Sequence, residues 1–298
     1  MDDHGGDLSR APLAYPGTPV PGPRLLVGDC DHTVRPRHTR SLAAARSGGC
    51  VRCELPLGPG AETVERTLRR LGAAPLADRT PVLAVGSNAA VAVLRHKLTG
   101  RGVGCVVPLL TGVVRHLGVG HTAYVSRGGY LPAAPVHRAR ARTPVVLQLL
   151  DDDQLAAVDA TEPGYVRVEL SATDYPLLLG GGLRPTRYHV YAARAGVLGL
   201  PGTGRRLLPQ REVLGALAAA GLPHTGSDDP RRVSGELARS ARRRDELRAA
   251  LEERGMSWSS GLRHRPAGRL RWPEVARTGS AGARRPRVRA ARQRPRRR

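Results

Sequence analysis

The sequence predicts an α+β protein, and three observations carry that expectation. Short apolar, β-prone runs such as TPVLAV (80–85) and TPVVLQLL (143–150) alternate with stretches of helical periodicity. Between 104 and 136, Val, Thr and Tyr are frequent and Gly recurs at hairpin distances. Six of the seven tyrosines fall between Tyr124 and Tyr191, where an ordered core can use them. One compact α+β domain over 59–225 follows. An irregular Pro/Gly-rich arm (1–58) precedes it, and an Arg-rich helix with a disordered basic tail (226–298) comes after.

The elements follow in order. In AETVERTLRRLGAAP (61–75), Val64, Leu68 and Leu71 share one helical face and Gly72 ends it. TPVLAV is a buried strand, and AAVAVLRHKL (89–98) a helix closed by GRG. GCVVPLLTGVVRHLGVGHTAYV and YLPAAPV read as strands, as does TPVVLQLL. DDDQLAAVDATE (151–162) opens with Asp151 three residues before Gln154, a capping-box spacing that starts a short helix. YVRVEL (165–170) and RYHVYAA (187–193) alternate as strands. PQREVLGALAAAGL (209–222) and GELARSARRRDELRAALEERG (235–255) read as helices, the second with a stripe at Leu237, Ala241, Leu247 and Leu251.

Residue usage is that of a GC-rich genome. Phe and Ile are absent, Asn88 is the only asparagine, and Lys97 is the only lysine among 48 basic residues. Arginine abundance therefore partly reflects codon bias, which weakens net charge +23 as an argument for nucleic acid. Between 227 and 298, 22 arginines face 8 acidic residues, so +14 of that charge sits at the C-terminal end. The last stretch, GARRPRVRAARQRPRRR, is too poor in apolar residues to offset chain entropy. It offers phosphates non-specific affinity, but only Trp258 and Trp272 lie nearby for base stacking. No apolar run approaches a membrane span, and the acidic start MDDHGGDLSR lacks a signal-peptide core, so a cytoplasmic protein is expected. Cys30, His32, Cys50 and Cys53 could offer zinc three thiolates and an imidazole, although one CxxC is weak; free cytosolic thiols are the alternative.

Two segments carry candidate chemistry. In VGSN (85–88) a buried strand delivers the chain to Gly86, which can turn sharply through positive φ. Ser87 or Asn88 can cap the following helix, and the turn presents backbone N–H groups to an anion. A capped helix and nothing more is the plain alternative. In LDDDQLAAVDATEPGYVRVEL, Glu162 precedes Pro163 and is thereby pushed out of helical dihedrals. Its carboxylate projects beyond the helix end, where a proton acceptor can work. The alternative there is an exposed Glu with no partner.

Together, and in this order and spacing, VGSN followed by a helix, HTAYVSRGGYLPAAPV, and VDATEPGY (158–165) resemble the γ-glutamylcyclotransferase-like superfamily, in particular its actinobacterial members. The likeness spans roughly residues 80–195. It implies a small mixed β-barrel with flanking helices and a single cavity. It also implies an enzyme that cyclises a γ-glutamyl amide to 5-oxoproline and releases an amine. Glu162 would be the general base. Gly86, Ser87 and Asn88 would bind the substrate and its oxyanion, with Tyr165 and Tyr130 as further substrate-binding residues. No metal or cofactor is required. One departure stands out: the tyrosine that the family places before the glycine is Val85 here, and Ala89 follows Asn88.

Two readings compete with that one. The first is a non-catalytic module that keeps the fold to bind a small ligand. The second is a nucleic-acid-associated protein acting through the arginine tail. His121 and His189 are further candidates for the cavity wall, and Arg127 and Arg167 for a substrate carboxylate.

Overall fold

A computed structural model describes residue 8 and residues 11–36, 51–53, 62–180, 183–202, 204–222, 227 and 229–272. The architecture is α+β, built on one large mixed sheet. Its elements are β1 (Arg24–Val27), β2 (Cys30–Pro36), β3 (Val51–Cys53), β4 (Glu62–Thr63), α1 (Val64–Arg70), β5 (Thr80–Ala84), α2 (Val91–Thr99), β6 (Val106–His121), β7 (Ala133–Leu150), α3 (Asp152–Asp159), β8 (Tyr165–Ser171), β9 (Leu177–Leu179), β10 (Arg187–Ala193), β11 (Val197–Leu198), α4 (Gln210–Ala219), α5 (Pro230–Arg239), α6 (Ala241–Glu253), β12 (Ser257–Trp258) and β13 (Arg265–Pro266).

Eleven strands form the sheet in the order β13-β8-β10-β5-β7-β6-β1-β2-β3-β4, with β9 added to β6. The β5–β10 pair is parallel and the other pairs are antiparallel. The path does not return on itself, so the barrel expected from the resemblance is not closed. Buried residues from β1–β2 (Leu25, Val34) and from β8–β10 (Val168, Leu170, Val190) nevertheless share one cluster. The sheet therefore curls around its core, and β1 to β4 prolong it past β6.

Alternation along the strands divides two cores. Leu83, Leu147 and Leu149 face the interior of the curl. Val82, Ala84, Val146 and Leu150 face outward, where Leu94 and Leu98 of α2 and Ala157 and Val158 of α3 cover them. A period of two gives β5 and β7 both assignments at once. A third cluster joins Leu214 and Leu217 of α4 to Val233 and Leu237 of α5 and Leu247 and Leu251 of α6.

Several local expectations change. Residues 24–36 were expected to lie in an irregular arm, yet β1 pairs with β6 and β2 with β1; long-range pairing overrides the local Pro/Gly signal. The helix expected over 235–255 is two. Ser240 leaves helical dihedrals (φ −123, ψ 106), and its side chain accepts from the Arg243 N–H to start α6, which leaves Ala241 exposed. Leu71 is also exposed, because α1 ends at Arg70 and Gly72 turns away at φ +64. Residues 257–272 pack back on the domain: β12 pairs with β11 in a separate two-stranded sheet, β13 pairs with β8 of the large one, and Trp272 is 1% exposed in the inner core, so it is a packing residue and offers no stacking face. The basic tail beyond 272 lies outside the described residues. No helix among them is long and apolar enough to cross a membrane.

Candidate functional site

The chain leaves β5 at Ala84 and makes a 3-10 turn over Ser87–Ala89 before α2. Gly86 sits at φ −130, ψ −141, an ordinary negative φ, so conformational freedom is not why glycine stands there. Space is the reason. A Cβ on Gly86 would lie 2.7 Å from the Tyr15 hydroxyl oxygen and 2.9 Å from the Ala133 Cβ. Neither Ser87 nor Asn88 caps the helix, since α2 takes Ala90 as its N-cap with no side-chain hydrogen bond. Asn88 is committed elsewhere.

That commitment is to Glu162. The capping box of Asp151 and Gln154 starts α3, and Asp159 ends it. The Glu162 N–H donates to Asp159 O (3.1 Å), and the carboxylate turns across to α2. Asn88 Nδ2 donates to Glu162 Oε1 at 2.9 Å, Lys97 Nζ reaches the same oxygen at 2.5 Å, and Lys97 Nζ also donates to Asn88 Oδ1 at 2.7 Å. Gln148 Nε2 donates to Asn88 O at 2.6 Å and fixes the turn from β7. Asn88, Lys97 nine residues on, and the distant Glu162 thus form a closed hydrogen-bonded triangle. Lys97 and Glu162 are 16% and 12% exposed through their side chains, an ion pair sheltered from solvent yet open to a cavity. A sheltered pair gains more from attraction than a surface pair does, and its remaining contacts matter correspondingly.

The cavity has an outer and an inner part. The outer one, about 520 Å³, is lined by Ser87, Lys97, Arg127, Tyr130, Glu162 and Tyr165 among others. Adjoining it through Tyr15, Ser87, Glu162 and Tyr165 is a hollow of about 40 Å³ that Gly86 and Asn88 also bound. The outer volume suits a small molecule. Among the described residues, the backbone N–H groups of Gly86 and Asn88 find no backbone acceptor, while the Ser87 N–H is turned to the Tyr15 hydroxyl oxygen. Tyr165 donates to Ala133 O at 2.6 Å, and burial pushes its hydroxyl well above the usual tyrosine range. Tyr130 stacks on Tyr15 with ring centroids 4.5 Å apart. Every residue of the sequence-derived site therefore borders one or both parts of this cavity.

Of the other candidates Arg127 borders the cavity, and the rest do not. Arg167 is engaged by Asp159, at 3.0 Å through Nε and 3.1 Å through Nη2. His121 is buried between the Leu131 carbonyl and the Leu208 backbone. His189 is fully buried with Arg167 Nη1 2.9 Å from its Nδ1 and no partner for Nε2. Neither imidazole borders the cavity. Cys50 lies outside the described residues, so the zinc set cannot be assembled from them; no group of three or more His, Cys, Asp or Glu among them is placed to hold a metal.

Burial, and then the Arg167 charge, pull His189 down to about 4 from 6.5, against the opposite pull of Asp159. The unfolded chain binds a proton near 6.5 and the folded chain does not until about 4. Stability linked to His189 is thus complete above 6.5 and is lost as pH falls toward 4, with a slope of at most about 1.4 kcal/mol per pH unit. Urea unfolding at pH 7 and pH 5 checks this. The loss between the two should shrink in His189→Gln, and an undiminished loss would rule His189 out as its source.

Sequence reasoning missed three residues. Lys97 carried a signal: it is the one lysine among many arginines, and its compact ammonium reaches both Glu162 Oε1 and Asn88 Oδ1, a geometry that a planar fork meets differently. Tyr15 and Tyr124 carried none. Tyr15 arrives from a Pro/Gly-rich segment, and Tyr124 packs edge-on against Tyr165 at 6.3 Å from a loop between β6 and β7.

No family model matches the sequence, and no curated relative does. A solution structure of an Arabidopsis thaliana protein is similar over 38% of this chain and 61% of its own length, with 17% identity and a TM-score of 0.28. The chain thus spans less than two thirds of that neighbour.

Proposed function

We propose that this protein cyclises a γ-glutamyl amide to 5-oxoproline and releases an amine, within a γ-glutamylcyclotransferase-like fold. The observation that carries the reading is the Glu162 carboxylate on the same small hollow as Gly86 and Asn88, whose N–H groups have no backbone acceptor among the described residues. Glu162 takes a proton from the substrate's α-ammonium. The freed amine attacks the γ-carbonyl carbon, a C–N bond forms, and the carbonyl oxygen becomes an oxyanion. Collapse breaks the amide C–N bond; the leaving nitrogen takes one proton from Glu162 and the second from the ring nitrogen, so 5-oxoproline and an ammonium result and Glu162 is again a carboxylate. The attack is intramolecular, so correct positioning supplies much of the rate. Backbone donors at the turn oppose the developing negative charge, each contributing about 3–4 kcal/mol where it is well placed.

Asn88 and Lys97 hold Glu162 Oε1, which fixes the carboxylate and leaves Oε2 for the ammonium. Lys97 is then released in part when the substrate ammonium competes for Glu162, and can meet the substrate carboxylate. Release of 5-oxoproline and free amine from a panel of γ-glutamyl amides tests the reaction, and no turnover anywhere in the panel defeats it. On a turned-over amide, Lys97→Met is expected to lower kcat/KM by about 10- to 100-fold, because Glu162 loses the stronger of its two anchors. Unchanged kcat/KM would remove Lys97 from the site. The second reading, a binding module without turnover, is favoured by Val85, which leaves the turn without its own tyrosine.

A further inference from the structure

Tyr15 lies 71 residues ahead of Gly86 in the chain, and its side chain ends between the turn and β7. Leu13 packs with the α4–α6 cluster, and Val20 N–H donates to Ala89 O at 3.1 Å, so the segment is tied down on both sides of the ring. The residue is 6% exposed. Its oxygen accepts the Ala133 N–H at 2.6 Å, and the Ser87 N–H is turned to it as well. Its own hydroxyl hydrogen has no acceptor among the described residues. A buried hydroxyl that accepts but does not donate is an unspent donor, and such groups are costly unless something takes the proton. The open direction is the hollow that Tyr15 shares with Gly86, Asn88 and Glu162.

We infer that Tyr15 contacts the ligand: its hydroxyl donates into this hollow to a carboxylate or carbonyl oxygen of the bound compound. This goes with the proposed cyclisation and names a residue that the VGSN and Glu162 motifs do not contain. Burial, reinforced by the nearby Glu162 charge, holds the phenol far above the ordinary tyrosine range, so it stays a donor at every working pH. The ring stacked on Tyr130 keeps the hydroxyl in place, and Gly86 must lack a Cβ for the oxygen to reach the turn. The N-terminal segment is therefore part of the site. It returns to the turn the hydroxyl and ring that Val85 does not supply.

The test uses the full chain with Tyr15→Phe, which keeps the stacked ring and deletes only the hydroxyl. Two measurements are paired with thermal unfolding. On a γ-glutamyl amide that the wild type turns over, kcat is expected to fall about 100-fold with KM within about threefold, the pattern of a contact made to developing charge. Binding of [13C]formate, followed by NMR at constant ionic strength, is expected to weaken about tenfold or more. A folded Tyr15→Phe with wild-type kcat and wild-type formate affinity overturns the inference and reduces Tyr15 to packing. If no amide in the panel is turned over, the cyclisation reading falls alone, and the formate comparison still decides Tyr15. Should Tyr15→Phe fail to fold, Gly86→Ala displaces the hydroxyl without removing it and must give the same loss of formate affinity; an unchanged affinity there overturns the inference too.

Discussion

Replacing Glu162 by Gln is expected to cut 5-oxoproline release by about 10²- to 10⁴-fold, the usual worth of a positioned general base. The amide keeps the shape of the carboxylate and can still accept from Asn88 Nδ2 and Lys97 Nζ, the two groups that hold Oε1 at 2.9 Å and 2.5 Å. What it cannot do is take a proton. The loss should therefore fall on kcat, with thermal stability changed only by the weakening of one sheltered ion pair. Product release followed by chromatography, beside circular dichroism, separates the two effects. Turnover within threefold of wild type would show that Glu162 serves structure and that the proton goes elsewhere.

Arg79→Met is expected to destabilise the fold by about 3–5 kcal/mol, the range for breaking a buried, hydrogen-bonded charge. Arg79 is fully buried. Its guanidinium donates to Ala74 O (2.9 Å), Val106 O and Leu149 O (both 3.0 Å) and Gln154 Oε1 (3.2 Å), with Asp151 at 3.9 Å. One side chain thus ties the approach to β5, the start of β6, the end of β7 and the capping box of α3. Methionine fills the space and leaves those acceptors without donors, and burial already pulls the arginine below its ordinary range. Urea titration reads the effect directly; a loss under about 1 kcal/mol would mean that water replaces the guanidinium. Because α3 carries Glu162 just past its other end, activity should fall with stability in this variant.

Much of the α+β pattern was legible because its signals are local. The periodicities of β5, β8, β10 and α4 come from adjacent residues. The capping box of α3 follows from Asp151 and Gln154 alone. Asn88 and Glu162 stood out for similar reasons, one by rarity and one by the proline behind it. Non-local pairing was not legible. Nothing near Arg24–Pro36 announces that β6 waits about 80 residues later, and nothing in RSARRRDEL states that Ser240 will cap a new helix instead of extending the old one.

The amino-acid order by itself determined which side chains this protein keeps scarce, where several of its strands and helices lie, and that a turn and an acid are candidates for one task. Only the tertiary structure decided what they touch: Asn88 turned from helix cap to partner of Glu162, Lys97 joined them from the next helix, Tyr15 entered from the N-terminal segment, and the sheet curled without closing. The physical reason is the range of the forces. Dihedral preference and periodicity act within a few residues, whereas burial and hydrogen-bond completion join whichever groups the packed chain brings within about 3 Å, at any separation in sequence.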